Sequence, residues 1–154
     1  MTFQEINRMK ENIDDQFSDG IELRDSGQLT QAVQVFLNII QSYPNDSKIA
    51  GTYTVLAGIY FDLNDFKNSF AYFTKAIQLK PQSELASLGL YLSHVQMNDY
   101  EMAINELKRY LDQYPAVLYK DTLEELLGDV KGGYALKFKD TITELAKMNG
   151  MIIE

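Results

Sequence analysis

Three prolines divide this chain of 154 residues at regular intervals, at Pro44, Pro81 and Pro115. Successive prolines are separated by 37 and 34 residues, and seventeen residues before each of them stands a residue that favours a turn. The turn residues are Gly27, Asn64 and Asn98. A fixed period of roughly 20–50 residues is typical of proteins that stack one supersecondary unit several times. The spacing therefore predicts a repeat protein.

Small and apolar residues recur at helical spacing on both sides of these turns. After each turn, three positions spaced by four and three residues fall on one face of a helix. They are Ala32, Phe36 and Ile39, then Ser69, Phe73 and Ala76, then Ala103, Leu107 and Tyr110. Before the second turn, Tyr53, Leu56, Ala57 and Tyr60 form a similar stripe. Each unit is predicted to be a helix, a short turn and a second helix, which makes the fold all-α.

The second segment, LAGIYFDLNDFKNSFAYFTKAIQLKP, resembles the tetratricopeptide repeat family. It has the family's leucine and small residue at Leu56 and Ala57, an aromatic residue at Tyr60, a turn at Asn64 and a closing proline at Pro81. The resemblance implies helix pairs that stack into an α–α superhelix, a solenoid with a concave groove. It also implies an adaptor-like function in binding other proteins.

The resemblance divides the chain into three repeats and a degenerate C-terminal helix pair that caps the stack. The expected bounds are 13–46, 50–83 and 84–117 for the repeats and 118–150 for the cap. We expect a single domain over 1–154, because a chain of this length suits one hydrophobic core. In the third repeat, Tyr91 stands where the family has a small residue and Gly89 lies two positions too early. Its first helix is therefore expected to be shifted or repacked.

Local signals predict helices at both ends of the chain. Thr2 with Glu5 matches a capping box, and Asp121 with Glu124 matches a second one. The apolar face of the first predicted helix consists of Ile6, Met9, Ile13 and Phe17. Helix breaks are expected at Gly132-Gly133 and at Asn149-Gly150.

The sequence offers few residues for catalysis or metal binding. It has no cysteine and one histidine, His94, so a nucleophile–histidine pair has one candidate base and a zinc site would need carboxylates alone. His94 stands where the second segment has Tyr60, which favours a packed histidine. The side chains within each of the acidic pairs Asp14-Asp15 and Glu124-Glu125 diverge by roughly 100° on a helix, so they are expected to be solvated or helix-start charges. The sequence predicts no enzyme, no cofactor and no metal site.

Charge and hydropathy narrow the range of partners. A net charge of −8 opposes approach to nucleic acid, whose binding depends on cationic contacts. The sequence has no apolar run that would export the chain or span a bilayer. Together with the absence of cysteine, this predicts a cytoplasmic protein that binds neither nucleic acid nor membranes.

The resemblance implies that the first helix of each repeat lines the groove. The candidate groove residues are Phe17, Ile21, Arg24, Thr54, Val55, Gly58, Phe61, Leu88, Leu92 and Val95. Most are apolar, and a contiguous apolar surface beyond a few hundred Å² usually marks an interface. We expect an amphipathic helix or apolar strand of another protein to bind there. The alternative is that the chain's own terminal helix, or a second copy in a homodimer, covers the groove.

Two narrower functions fit the same resemblance. Small repeat proteins of this kind include type III secretion chaperones, which hold apolar translocator segments, and immunity proteins, whose acidic surface blocks a basic toxin. Relatives that grip the acidic tails of heat-shock chaperones carry lysine, arginine and asparagine in the groove. The matching positions here are Phe17, Ile21, Val55, Leu85 and Gly89. The sequence therefore predicts no carboxylate clamp.

Overall fold

The structure is a computed structural model that describes residues 1–151, with the backbone alone for residues 6–11. Every regular element in these residues is helical, which confirms the all-α class. The chain divides into two compact units, Met1–Lys80 and Pro81–Glu154, called unit 1 and unit 2. The division into compact units does not test the prediction of a single domain over 1–154, which stays a prediction.

Unit 1 consists of two helix pairs. Its helices are α1 (Phe3–Asp25), α2 (Leu29–Ser42), α3 (Ile49–Asp62) and α4 (Phe66–Leu79). Each helix packs against the next one along the chain. The buried apolar cluster between them contains Ile13, Ala32, Val33, Phe36, Ile39, Leu56 and Ile59. The recurring positions after the first turn thus form the core, as predicted.

Unit 2 also consists of two helix pairs. Its helices are α5 (Glu84–Gln96), α6 (Tyr100–Leu111), α7 (Lys120–Lys131) and α8 (Lys139–Met148), with a short 3-10 turn at Leu136–Phe138 before α8. α5 packs on α6 and α7 packs on α8. The buried cluster includes the recurring positions Ala103, Leu107 and Tyr110 together with residues of α7 and α8.

The three predicted turn residues all adopt the left-handed backbone conformation. Their φ angles are 82° at Gly27 and 59° at both Asn64 and Asn98. This conformation costs most residues about 1–2 kcal/mol, whereas glycine and asparagine adopt it readily. The chain therefore reverses direction at these three positions, where the sequence predicted it would.

The aspartate after each turn asparagine begins the next helix. Asp65 accepts a hydrogen bond from the backbone N–H of Asn68 at 3.2 Å. Asp99 accepts one from the N–H of Met102 at 3.3 Å. The Asn-Asp dipeptide thus encodes both the reversal and the N-cap of α4 and α6.

The third helix pair keeps the register of the second and differs in its packing. Leu90 and Tyr91 are buried at the positions that Leu56 and Ala57 occupy in α3. The Tyr91 ring lies edge-on to that of Tyr119, with 6.0 Å between the ring centroids. α5 is therefore repacked around a larger side chain and is not shifted.

The first of the two predicted capping boxes is confirmed and the second is wrong. The backbone N–H of Thr2 donates to Glu5 Oε2 at 2.7 Å, and that of Glu5 donates to Thr2 Oγ1 at 3.1 Å. At the second site, α7 begins one residue before Asp121, and its N-cap Tyr119 makes no side-chain capping bond. The carboxylate of Glu84 in α5 instead accepts the N–H groups of Val117 and Tyr119, both at 2.8 Å.

Two further predictions concern the chain ends, namely the helix breaks and the apolar face of α1. The predicted helix breaks are confirmed, because Gly133 and Gly150 have φ angles of 85° and 74° just beyond α7 and α8. The predicted apolar contacts of Ile6 and Met9 lie outside the described side chains. Ile13 is buried in unit 1.

Close packing at Gly20 gives a test of the unit 1 core. A Cβ atom at Gly20 would lie 2.6 Å from Cζ of the fully buried Phe36, whereas one at Gly58 would meet nothing within 4 Å. Gly20→Ala should lower the free energy of unfolding by about 1–3 kcal/mol through overpacking. Gly58→Ala should raise it by about 0.5–1 kcal/mol, because glycine is a poor helix former. Urea denaturation measures both, and a stabilised Gly20→Ala variant would contradict this packing.

Candidate functional site

Unit 2 contains an open cavity of about 560 Å³ between α5, α6, α7 and the segment that leads into α8. We call it the unit 2 cavity. Its aliphatic lining consists of Leu92, Val95, Ala103, Ile104, Leu126 and Ala135. Cavities of roughly 300–1,000 Å³ with a mainly apolar lining are typical of ligand and side-chain binding sites. The unit 2 cavity has the size and the surface for an apolar anchor.

Aromatic side chains complete the wall of the unit 2 cavity. Tyr91 and Phe138 line it from buried and half-buried positions, while Tyr100 and Tyr134 are 53% and 72% exposed. Exposed tyrosines combine a large apolar face with a hydroxyl group, and they are common at protein interfaces. The cavity thus opens to solvent beside two aromatic rings.

Two carboxylates, Glu125 and Asp129, also line the cavity. They lie four residues apart on α7 and therefore on the same face of that helix. Both are exposed, and among the described side chains neither makes a salt bridge. Burial raises the pKa of Tyr91 to about 12, and the negative charges of Glu125 and Asp129 contribute to this increase. The mouth of the cavity is therefore electronegative, and Tyr91 stays a protonated donor at neutral pH.

A buried polar cluster joins α5, α6 and the start of α7. The Ser87 hydroxyl donates to Glu106 Oε1 at 2.8 Å and lies 2.8 Å from the Tyr119 hydroxyl. The Nε of Arg109 lies 3.0 and 2.9 Å from the two oxygens of Glu106, and this bonding raises the pKa of Arg109. A charge buried like that of Glu106 is tolerated when it is paired and hydrogen-bonded. The cluster thus fixes the start of α7 against α5 and α6, which shapes the cavity.

The structure brings two of the predicted groove residues of unit 2 together in this cavity. Leu92 is 38% exposed and Val95 is half-buried, and both line it. Leu88 is half-buried against the unit 2 core and does not line it.

The seven predicted groove residues of unit 1 are all half-buried. Phe17 packs edge-on against Phe36 with 5.4 Å between centroids, and Phe61 packs edge-on against Phe66 with 5.2 Å. Arg24 pairs with the adjacent Asp25 at 2.9 Å. The remaining four are Ile21, Thr54, Val55 and Gly58. All seven positions keep part of their surface free, and Phe17, Ile21 and Val55 also pack against the unit 1 core.

Sequence reasoning missed the polar and aromatic half of the cavity. Glu125 is exposed, as predicted, and it also lines the cavity together with Asp129, Tyr134 and Phe138. The one signal for this in the sequence was the four-residue spacing of Glu125 and Asp129 on either side of Leu126. That spacing is common on solvated helices, so it did not identify a site.

The segment formed by α3 and α4 also has a recognisable family. Residues 50–83 match the family model of the tetratricopeptide repeat. This segment is a tetratricopeptide repeat. The matched residues have the bounds predicted for the second repeat, and no curated protein matches the chain. Because tetratricopeptide repeats generally mediate protein–protein interactions, the comparison supports an interaction module.

None of the described helices combines the length and the apolar content needed to cross a bilayer. Over the same residues, no three histidine, aspartate or glutamate side chains converge on a point where a metal ion could bind. His94 is 4% exposed in α5, away from the cavity lining.

The burial of His94 predicts a measurable pH dependence. Burial lowers the pKa of His94, and the opposing charges of Asp99 and Glu106 only partly offset this effect. In the unfolded chain its pKa should be about 6.5. The stability that the neutral imidazole contributes is therefore complete above about pH 6.5. It is lost as the pH falls from there through the lower pKa of the folded state.

Nuclear magnetic resonance can follow this imidazole directly in untagged protein, since it is the only one in the sequence. We expect its carbon-bound protons to titrate below about pH 6.5. The stability of a His94→Gln variant should lose this part of its acid dependence. A folded-state pKa at or above the unfolded value would contradict the described burial.

Proposed function

We propose that the chain binds a polypeptide segment of another protein through the first helices of its repeats, and that the unit 2 cavity anchors this segment. One observation carries the proposal. Leu92 is the most exposed of the ten candidate groove residues, and it opens onto a largely apolar cavity in the helix expected to face a partner. An apolar side chain that a soluble protein leaves at the mouth of such a cavity is typical of an interface.

The cavity is suited to the anchor residues that dominate interface energetics. Fully burying a leucine or phenylalanine side chain contributes about 1.5–3 kcal/mol. A segment that places one or two such side chains against Leu92, Val95 and Ile104 would therefore bind mainly through this cavity. The tyrosines beside it, Tyr100 and Tyr134, fit the aromatic enrichment of interface hot spots.

Unit 1 contributes a candidate surface of its own to this proposal. Its proposed contact positions are Phe17, Ile21, Arg24, Thr54, Val55, Gly58 and Phe61. They are only half-buried, so each keeps surface that a bound segment could cover. Since Phe17, Ile21 and Val55 also pack against the unit 1 core, we expect smaller losses of affinity from their substitution than from that of Leu92.

The affinity of a Leu92→Glu variant for selected peptides tests the proposal. Displayed random peptides would be selected on the wild-type protein, and the dissociation constants of synthetic versions would then be measured by calorimetry. Leu92→Glu should weaken these peptides at least tenfold, because it places an unpaired carboxylate where an apolar anchor docks. The change should leave the helicity measured by circular dichroism unaltered.

Leu118→Glu is the matched control. Leu118 is 45% exposed in the same unit but does not line the cavity. This variant should bind the selected peptides within about twofold of wild type, as expected for a surface change away from the interface. Failure to select any peptide, or equal affinities for the Leu92→Glu and wild-type proteins, would count against the proposed function.

A further inference from the structure

Three glutamates of unit 2 have partners, unlike the two carboxylates at the unit 2 cavity. Glu106 is paired with Arg109, Glu84 accepts two backbone N–H groups, and Glu101 pairs with Lys137 at 3.2 Å. The side-chain carboxylates of Glu125 and Asp129 make no hydrogen bond or salt bridge within the described part of the chain. Their like charges lie four residues apart on α7 and repel each other, so this pair does not stabilise the helix.

We infer that the unit 2 cavity selects a segment with a large apolar side chain followed closely by arginine or lysine, whose cation binds between Glu125 and Asp129. This inference rests on the proposed function and names the chemistry of its partner. The apolar side chain enters among Leu92, Ile104 and Leu126. The cation remains at the mouth, where both carboxylates are exposed.

The lining favours a cation over an anion at this position. Its twelve residues include two carboxylates and no lysine, arginine or histidine. The nearby Lys137, which precedes the lining residue Phe138, already pairs with Glu101. An anionic segment would meet two unneutralised charges beside a low-dielectric wall, which strengthens the repulsion.

The aromatic side chains at the cavity also favour a cation. The exposed rings of Tyr100 and Tyr134 at the cavity offer faces over which a guanidinium or ammonium group can lie. The planar guanidinium of arginine can also bind a carboxylate with two hydrogen bonds, so arginine should be preferred to lysine. The Tyr91 hydroxyl, kept protonated beside the carboxylates, can donate a further hydrogen bond to a backbone carbonyl of the segment.

Charge also argues against a second copy of the chain as the occupant. Each copy carries a net charge of −8, so two copies repel each other at long range. A basic segment is instead attracted to the cavity, and that attraction should weaken as salt is added. The occupant is therefore a basic, apolar segment of a different protein.

Three synthetic peptides with one shared leucine–phenylalanine anchor test the inference. Their flanking positions carry two arginines, two glutamines or two glutamates. The arginine peptide should bind the wild-type protein most tightly and the glutamate peptide most weakly. The difference between the arginine and glutamine peptides should shrink at high salt, because exposed ion pairs are screened.

The double variant Glu125→Gln/Asp129→Asn should bind the arginine peptide about fivefold more weakly and the glutamine peptide within about twofold of wild type. Its matched control is Glu124→Gln/Glu144→Gln, which removes the same number of charges from exposed positions outside the cavity lining. This control should retain the preference for arginine. The comparison separates the two cavity carboxylates from the overall charge of the protein.

The outcomes distinguish this inference from the proposed function. If Leu92→Glu abolishes binding but the three peptides bind equally, or if both double variants lose the arginine preference equally, the basic partner is wrong and the binding site stands. If none of the peptides binds, or Leu92→Glu is without effect, the proposed function fails as well. A wild-type dimer that Leu92→Glu converts to a monomer would identify a second copy as the occupant and overturn the inference.

Discussion

The left-handed turn between the helices of each pair is the constraint on which the rest of the structure depends. Asn64 and Asn98 have the same φ angle, and each is followed by an aspartate that caps the next helix. A turn of fixed length and geometry determines which face of the first helix meets the second helix. The opposite face is then left for neighbouring helices or for solvent. Leu92 and Val95 lie beside the unit 2 cavity, in the helix that ends just before the turn at Asn98.

A cluster of buried polar groups at the N-terminal start of α7 supports the walls of that cavity. Ser87, Glu106 and Tyr119 come from three successive parts of unit 2 and meet within hydrogen-bonding distance. Because an unpaired polar group in this position would be costly, the three groups define one arrangement of α5, α6 and α7. The cavity is the space that this arrangement leaves between α5, α6, α7 and the segment that leads into α8, so a hydrogen-bonded cluster supports an open site.

Much of the fold could be predicted from local sequence signals. The turns at Gly27, Asn64 and Asn98 and the breaks beside Gly133 and Gly150 depend on the intrinsic conformational preferences of glycine and asparagine. These preferences act within a few residues, so the sequence reports them directly.

The features that the sequence did not predict depend on contacts between distant residues. Glu84 holds the start of α7 from more than thirty positions away, in place of the capping box expected at Asp121. Glu125 is an exposed charge, as predicted, but its position at the cavity depends on where α7 lies relative to α5. Tyr91 departs from the repeat pattern, and its role became clear only from its packing against Tyr119. Tertiary packing therefore decided the candidate site, whereas local preference decided the helices.

Methyl nuclear magnetic resonance of the protein during titration with a selected peptide tests the central claim most directly. The claim is that an apolar side chain of the partner enters the unit 2 cavity. The methyl resonances of Leu92, Val95 and Ile104 should then shift together with one dissociation constant, while those of the exposed Leu118 stay unchanged. Shifts at Leu118 without shifts at the three cavity residues would contradict the claim.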